Sequence, residues 1–158
     1  MDDRVPMTRS GYERLQTELK QLKSEDRPKI VKEIEVARAH GDLSENAEYH
    51  AAKDRQGHIE ARIRLVEDRL ARAQVIDPTG EAPDQVRFGV TVVLLDAESG
   101  DEVSYTIVGE DESDVTAGLI SVTSPIGRAL LGKSVDDAVT VRVPKGTREF
   151  EVREIRIA

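Results

Sequence analysis

Apolar positions in the first half of the chain recur in narrow stripes. Tyr12, Leu15, Leu19 and Leu22 follow one another at steps of 3, 4 and 3, the spacing of one helix face. Ile30, Val31, Ile34 and Ala37 resume an apolar face, and Ile59, Ile63, Val66, Leu70 and Ala73 repeat at steps of 4, 3, 4 and 3. The residues between them are almost all charged or Gln. A stripe that narrow buries against one partner helix rather than a globular core. Thr8 reads as the N-cap of the first helix. Pro28 lacks an amide donor and is expected to kink or locally break the helix near Asp26 and Arg27. The second helix is expected to start between Asp42 and Glu45. Together these segments predict an antiparallel α-helical coiled-coil hairpin over residues 1–76, with its tip at 41–49. Arms of roughly 30 residues at ~1.5 Å per residue are on the order of 45 Å long.

The periodicity then changes. Asp77-Pro78-Thr79-Gly80-Glu81-Ala82-Pro83-Asp84 is a linker by composition. Val86–Leu95, Glu102–Val108, Leu119–Val122, Ala138–Val143 and Phe150–Ile157 are rich in Val, Ile and Thr and mostly alternate, so they read as strands. Asp96–Asp101 reads as a hairpin turn. Ser124 followed by Pro125 is a cap with Pro at the first helical position, opening a short helix Ile126–Leu131 that Gly132 stops. Residues 85–158 are thus expected to form an antiparallel sheet with one short helix, and the whole chain an α+β fold.

Composition narrows the function classes. The chain has 158 residues, no cysteine and a net charge of −8, which removes disulfides and thiolate metal sites. Residues 1–80 hold 15 Lys+Arg against 16 Asp+Glu, and residues 81–158 hold 8 against 15. Neither half offers the clustered cations that autonomous nucleic-acid binding needs. Aromatic residues make up 3% and Trp is absent, so no base-stacking platform is expected. No apolar run is long enough for a membrane helix and no signal core opens the chain. A cytoplasmic protein with no membrane partner, monomeric, is the expectation.

The tip admits two readings. Gly41 supplies a turn conformation that ends the first helix. Asp42 as N-cap with Glu45 three residues later makes a capping box, and acids there complement the helix dipole. Against this, Ser44 can cap the helix by itself, and Asp42, Glu45 and Glu48 stand with no cation between Arg38 and Lys53. Carboxylates are hard oxygen ligands suited to Mg²⁺, and two of them at the end of a slender arm can complete a metal site that another macromolecule holds.

The run Ala37-Arg38-Ala39-His40-Gly41-Asp42-Leu43-Ser44-Glu45-Asn46-Ala47-Glu48-Tyr49-His50-Ala51-Ala52-Lys53 resembles the tip signature of the bacterial GreA/GreB transcript-cleavage factors. The resemblance continues through Ala73-Gln74-Val75-Ile76-Asp77 and returns at Gly118–Lys133, where it is nearer the GreA branch. It implies a coiled coil that enters the secondary channel of RNA polymerase and an FKBP-like C-terminal domain that docks at the channel rim. It implies that Asp42 and Glu45 help hold the second Mg²⁺, shared with the polymerase, and orient its water. The polymerase's own active site would then cleave backtracked RNA and regain a usable 3′ end. The factor would bind no cofactor alone and would not itself be an enzyme.

By the same resemblance Gly41, Leu43, Ser44, Asn46, Glu48 and Tyr49 support the tip, and Ser124, Pro125, Ile126 and Gly127 are candidate docking contacts or only a helix cap. Lys53 with Arg55 is a candidate contact to the extruded RNA, or an ordinary solvated face. Ser44 departs from relatives that carry Lys there. An FKBP-like fold does not carry prolyl isomerase activity, and Phe88, Tyr105 and Phe150 are too few aromatics to line such a pocket. His40, His50 and His58 lack a metal-ligand spacing. A non-cleaving regulator of the same channel and a free-standing coiled-coil adaptor are the competing functions.

Overall fold

The computed structural model describes residues 3–41 and 46–157. It divides into two units, one of Tyr12–Ala73 and one that combines Met1–Gly11 with Gln74–Ala158. The elements in chain order are β1 (Val5–Met7), α1 (Arg9–Gln21), α2 (Arg27–Arg38), α3 (Ala47–Ala71), β2 (Ala73–Val75), β3 (Val90–Asp96), β4 (Glu102–Val108), β5 (Leu119–Ser121), α4 (Pro125–Leu130), β6 (Ala138–Val143) and β7 (Gly146–Ile157). Among the described residues no helix is long and apolar enough to cross a membrane.

Thr8 caps α1 as its sequence context implies. Its Oγ1 accepts the Gly11 amide at 3.1 Å, satisfying one of the free donors of the first turn. Pro28 does not break the helix. Leu22–Asp26 form a π turn between α1 and α2, and the Arg27 amide donates to the Leu22 carbonyl. The wider turn makes room where the Pro28 ring would press on the carbonyl four residues before it. It also keeps the apolar stripe in phase. Leu15 and Leu22 are buried and seven residues apart, whereas Leu22 and the next buried position, Ile30, are eight apart. The extra residue is absorbed in the π turn.

In the helical unit Ile30 and Ile34 of α2 pack with Ala52 of α3, with Tyr49 and Ile59 partly buried against them. Ile63 and Val66 are the most buried positions of α3. Val31, grouped with this face in the sequence, instead points outward and is 42% exposed. Its neighbours Ile30 and Ile34 occupy the seam, and a one-residue step turns a side chain by about 100°. Ion pairs flank the seam. Arg27 makes two bonds to Glu60, at 2.8 and 2.9 Å, and nearer the tip Arg55 reaches Glu33 at 2.7 Å. The partner number falls on one arm as it rises on the other, as antiparallel arms require. Arg62 grips Glu18 with two bonds at 2.6 and 2.7 Å. That hydrogen bond, before any Coulombic effect, holds the Glu18 carboxyl below its ordinary range.

In the other unit β1 and β2 form a two-stranded sheet, and the five remaining strands lie in the order β5-β4-β3-β7-β6. β3 pairs antiparallel with β4 and β7, as does β6 with β7, while β4 and β5 run parallel. The sheet is therefore mixed. Two short 3-10 turns, Glu110–Glu112 and Val115–Ala117, return the chain so that β5 enters in the same direction as β4. Val90, Val92, Leu94, Ile107, Leu130, Val139, Phe150 and Val152 form the core, all almost fully buried.

The register of β3 against β7 slips between Val93 and Leu94. That bulge explains a break in the sequence alternation: Phe150 and Val152 are buried, and the next buried position is Ile155. One extra residue on β7 brings both sets to the same face. Several element bounds differ from the sequence expectation. β3 starts at Val90 rather than Val86, because Gly89 at φ +90° packs against Pro78 and turns the chain first. β7 starts at Gly146, four residues earlier than expected, because it hairpins directly with β6 through Pro144 and Lys145. Asp96–Asp101 is a hairpin turn, closed by Asp96 Oδ1, which accepts the amides of Glu98 and Ser99.

Candidate functional site

The tip is built from the ends of α2 and α3. α2 stops at Arg38, and the His40 amide turns back to the Ala37 carbonyl at 3.1 Å. Gly41 follows at φ +106°, a conformation that L side chains rarely adopt. α3 starts at Ala47, later than the expected Asp42–Glu45. Its N-cap is Asn46, whose Oδ1 accepts the Tyr49 amide at 3.0 Å. The Asn46 carbonyl takes the first intrahelical bond, from His50, at 3.1 Å. Asn46 thus meets the capping need one position before the helix. Asp42, Leu43, Ser44 and Glu45 themselves lie outside the described residues.

Asn46 does a second thing that its sequence position did not reveal. Its Nδ2 donates to the Ala37 carbonyl at 2.6 Å. One side-chain amide thus joins a carbonyl in the last turn of α2, which also accepts the His40 amide, to a first-turn amide of α3. His40 Nδ1 lies 4.0 Å from Glu48 Oε2, and both side chains are exposed. Tyr49 is half-buried against the Ile30, Ile34 and Ala52 cluster and meets the His50 ring edge-on at 5.5 Å.

The two candidate RNA-contact cations differ in their surroundings. Arg55 spans the hairpin to Glu33 at 2.7 Å. Lys53 donates to Gln56 Oε1 at 3.2 Å, an uncharged partner, and remains exposed. His58 pairs with Asp54 at 3.6 Å, one turn away. Among the described residues no three His, Asp or Glu side chains converge on a position that could hold a metal ion.

In the second candidate region, Ser124 caps α4. Its Oγ accepts the Gly127 amide at 3.1 Å and donates to the Ser121 carbonyl at 2.7 Å. A Cβ on Gly127 would come within 2.2 Å of that same carbonyl oxygen, so α4 sits unusually close to the end of β5. Ile126 packs partly against the sheet core. Of the four residues of this loop, Pro125 alone is exposed, with Arg128 exposed one turn on.

Two family descriptions cover nearly the whole chain. "Transcription elongation factor, N-terminal" matches residues 5–75, and "Transcription elongation factor, GreA/GreB, C-term" matches residues 81–157. The chain is 56% identical over 156 residues to the transcription elongation factor GreA of Trichlorobacter lovleyi, covering 99% of each chain. It is 62% identical over 152 residues to the protein of the same name from Anaeromyxobacter sp. (strain K), covering 96% of this chain and 92% of the relative. Among solved structures it is similar to the transcription factor Gfh1, with 35% identity, 98% and 99% coverage and a TM-score of 0.47. A superposition at that level adds nothing to the sequence matches.

Proposed function

This chain belongs to the GreA/GreB family of transcription elongation factors, and from that premise we propose that it acts on RNA polymerase by stimulating cleavage of backtracked RNA. It is not itself the enzyme. The helical hairpin enters the secondary channel as a monomer, and the domain that carries α4 docks at the channel rim through the Ser124–Gly127 loop, where Pro125 is the exposed member. Asp42 and Glu45 hold part of a Mg²⁺ that the polymerase also holds. When bound, that ion lowers the pKa of a water and so supplies the nucleophile for hydrolysis of the transcript. Two carboxylates bind Mg²⁺ weakly by themselves, since the ion keeps most of its water, which makes a shared site the sensible arrangement. Lys53 is the cation offered to the extruded RNA 3′ segment; Arg55 must leave Glu33 to join it.

The observation that carries this reading is the family match over nearly the whole chain. The cap of α3 is Asn46, and Asp42 and Glu45 bring hard oxygen donors that fit Mg²⁺. The relatives' shared name, at 56% and 62% identity, favours this reading over a non-cleaving channel regulator.

The test is transcript cleavage in a stalled, backtracked polymerase complex, with wild type, Asp42→Ala and Glu45→Ala in parallel. Wild type should accelerate cleavage, and each variant should lose that acceleration while competing for polymerase nearly as well as wild type. A wild type without stimulation would point to the regulator. Variants that cleave normally would remove the metal role, and variants that fail to bind would make the acids structural.

A further inference from the structure

The ends of the hairpin are joined by one side chain. Asn46 Nδ2 donates to the Ala37 carbonyl at 2.6 Å, and its Oδ1 accepts the Tyr49 amide at 3.0 Å. Ala37 is 4% exposed and Tyr49 and Asn46 are half-buried, so these bonds are shielded from competing water. Among the described residues no backbone bond joins the last turn of α2 to the first turn of α3; those of Ala39, His40 and Gly41 stay within the α2 end, and that of His50 stays within α3. Asp42 and Glu45 both lie in the segment between these two ends.

We infer that Asn46 is a positioning residue for cleavage: by bridging Ala37 and Tyr49 it sets the separation of the two helix ends from which the Asp42–Glu45 segment springs. The inference rests on the metal-delivery reading above and deepens it. Misplacement of a reacting group by about 1 Å can lower a rate by about a hundredfold, so the spacing of the ends matters even though Asn46 touches no reacting atom. The chemistry of the amide separates its two duties. Asp and Ser are both good N-caps, so Asn46→Asp and Asn46→Ser keep an acceptor for the Tyr49 amide. Asp has no donor at the Nδ2 position, and Ser is too short to span both partners.

The experiment uses the full chain with stalled, backtracked polymerase. Maximal cleavage rate, Mg²⁺ concentration for half-maximal rate and competition for polymerase are measured for wild type, Asn46→Asp, Asn46→Ser and Asp42→Ala, with helicity by circular dichroism. Both Asn46 variants should keep wild-type helicity and polymerase competition, lose about tenfold to a hundredfold in maximal rate, and need more Mg²⁺. A purely structural role would instead lower helicity or polymerase competition in step with cleavage, and that result overturns the inference. Wild-type rate and Mg²⁺ dependence in both Asn46 variants, while Asp42→Ala is inactive, would overturn the bridging role alone. Normal cleavage by Asp42→Ala would overturn the reading on which it rests.

Discussion

The carboxylate of Glu112 accepts hydrogen bonds from both the amide and the hydroxyl of Thr8, 104 residues earlier in the chain. Glu112 is 7% exposed, and its Oε2 also takes the Gly109 amide at 3.0 Å. The charge sits at the N-terminus of α1, where the helix dipole favours an anion. Two glycines make the space. A Cβ on Gly11 would meet Glu112 Cδ at 2.3 Å, and one on Gly109 would meet the Pro6 carbonyl oxygen at 2.6 Å.

Glu112→Ala leaves three donors without their acceptor and should destabilise the protein by about 2–4 kcal/mol. Glu112→Gln keeps one oxygen and the shape, and should lose roughly 1 kcal/mol. Gly11→Ala should lose about 1–3 kcal/mol by overpacking. Urea unfolding of the full chain measures all three. An alanine variant at position 112 as stable as the glutamine variant would show that the buried bonds contribute little.

The π turn makes a prediction about chain length. Deleting Ser24 restores a seven-residue step from Leu22 to Ile30 but places Pro28 inside a regular α-helix, which should destabilise by about 3 kcal/mol. Deleting Ser24 and replacing Pro28 by Ala together should recover most of that loss, because the seam stays in phase without the wider turn. Thermal unfolding followed by circular dichroism distinguishes the two. The idea fails if the double variant is no more stable than the deletion alone.

Acid should weaken the fold in a defined window. Hydrogen bonds from Arg62 to Glu18, Arg27 to Glu60 and Arg148 to Asp96 hold those carboxyls below their ordinary values, and Thr116 does the same for Asp114. A carboxyl that is more acidic folded than unfolded contributes stability above its unfolded value, and loses it as pH falls through the folded one. Stability should therefore hold from neutral pH to about 5 and drop below about 4. Asp96→Asn should make the acid-side drop shallower. Urea midpoints at a series of pH values provide the check, and a midpoint that rises below pH 4 would contradict it.

The helical seam, the Thr8 and Ser124 caps and the hairpin turn at Asp96 were legible because each depends on local residue type and spacing. What escaped was set by partners distant in sequence. Nothing near Glu112 announces that Thr8 and two glycines enclose it. Val31 looked like a seam residue because it is apolar and adjacent to Ile30, and only the phase of the π turn decides which of the two faces inward. The parallel entry of β5 depends on two 3-10 turns too short to carry a periodic signal. At the tip, Asp42 and Ser44 were the capping candidates, and Asn46 stood only among the supporting residues. The bond to Tyr49 marks where the helix begins, and the bond from Asn46 to Ala37 links positions whose proximity no spacing rule provides.

At the tip Gly41 turns the chain at the end of one arm and Asn46 opens the other. Each arm therefore carries its own end fitting, so a truncation that removes Gly41 or Asn46 would leave the helix it closes to fray.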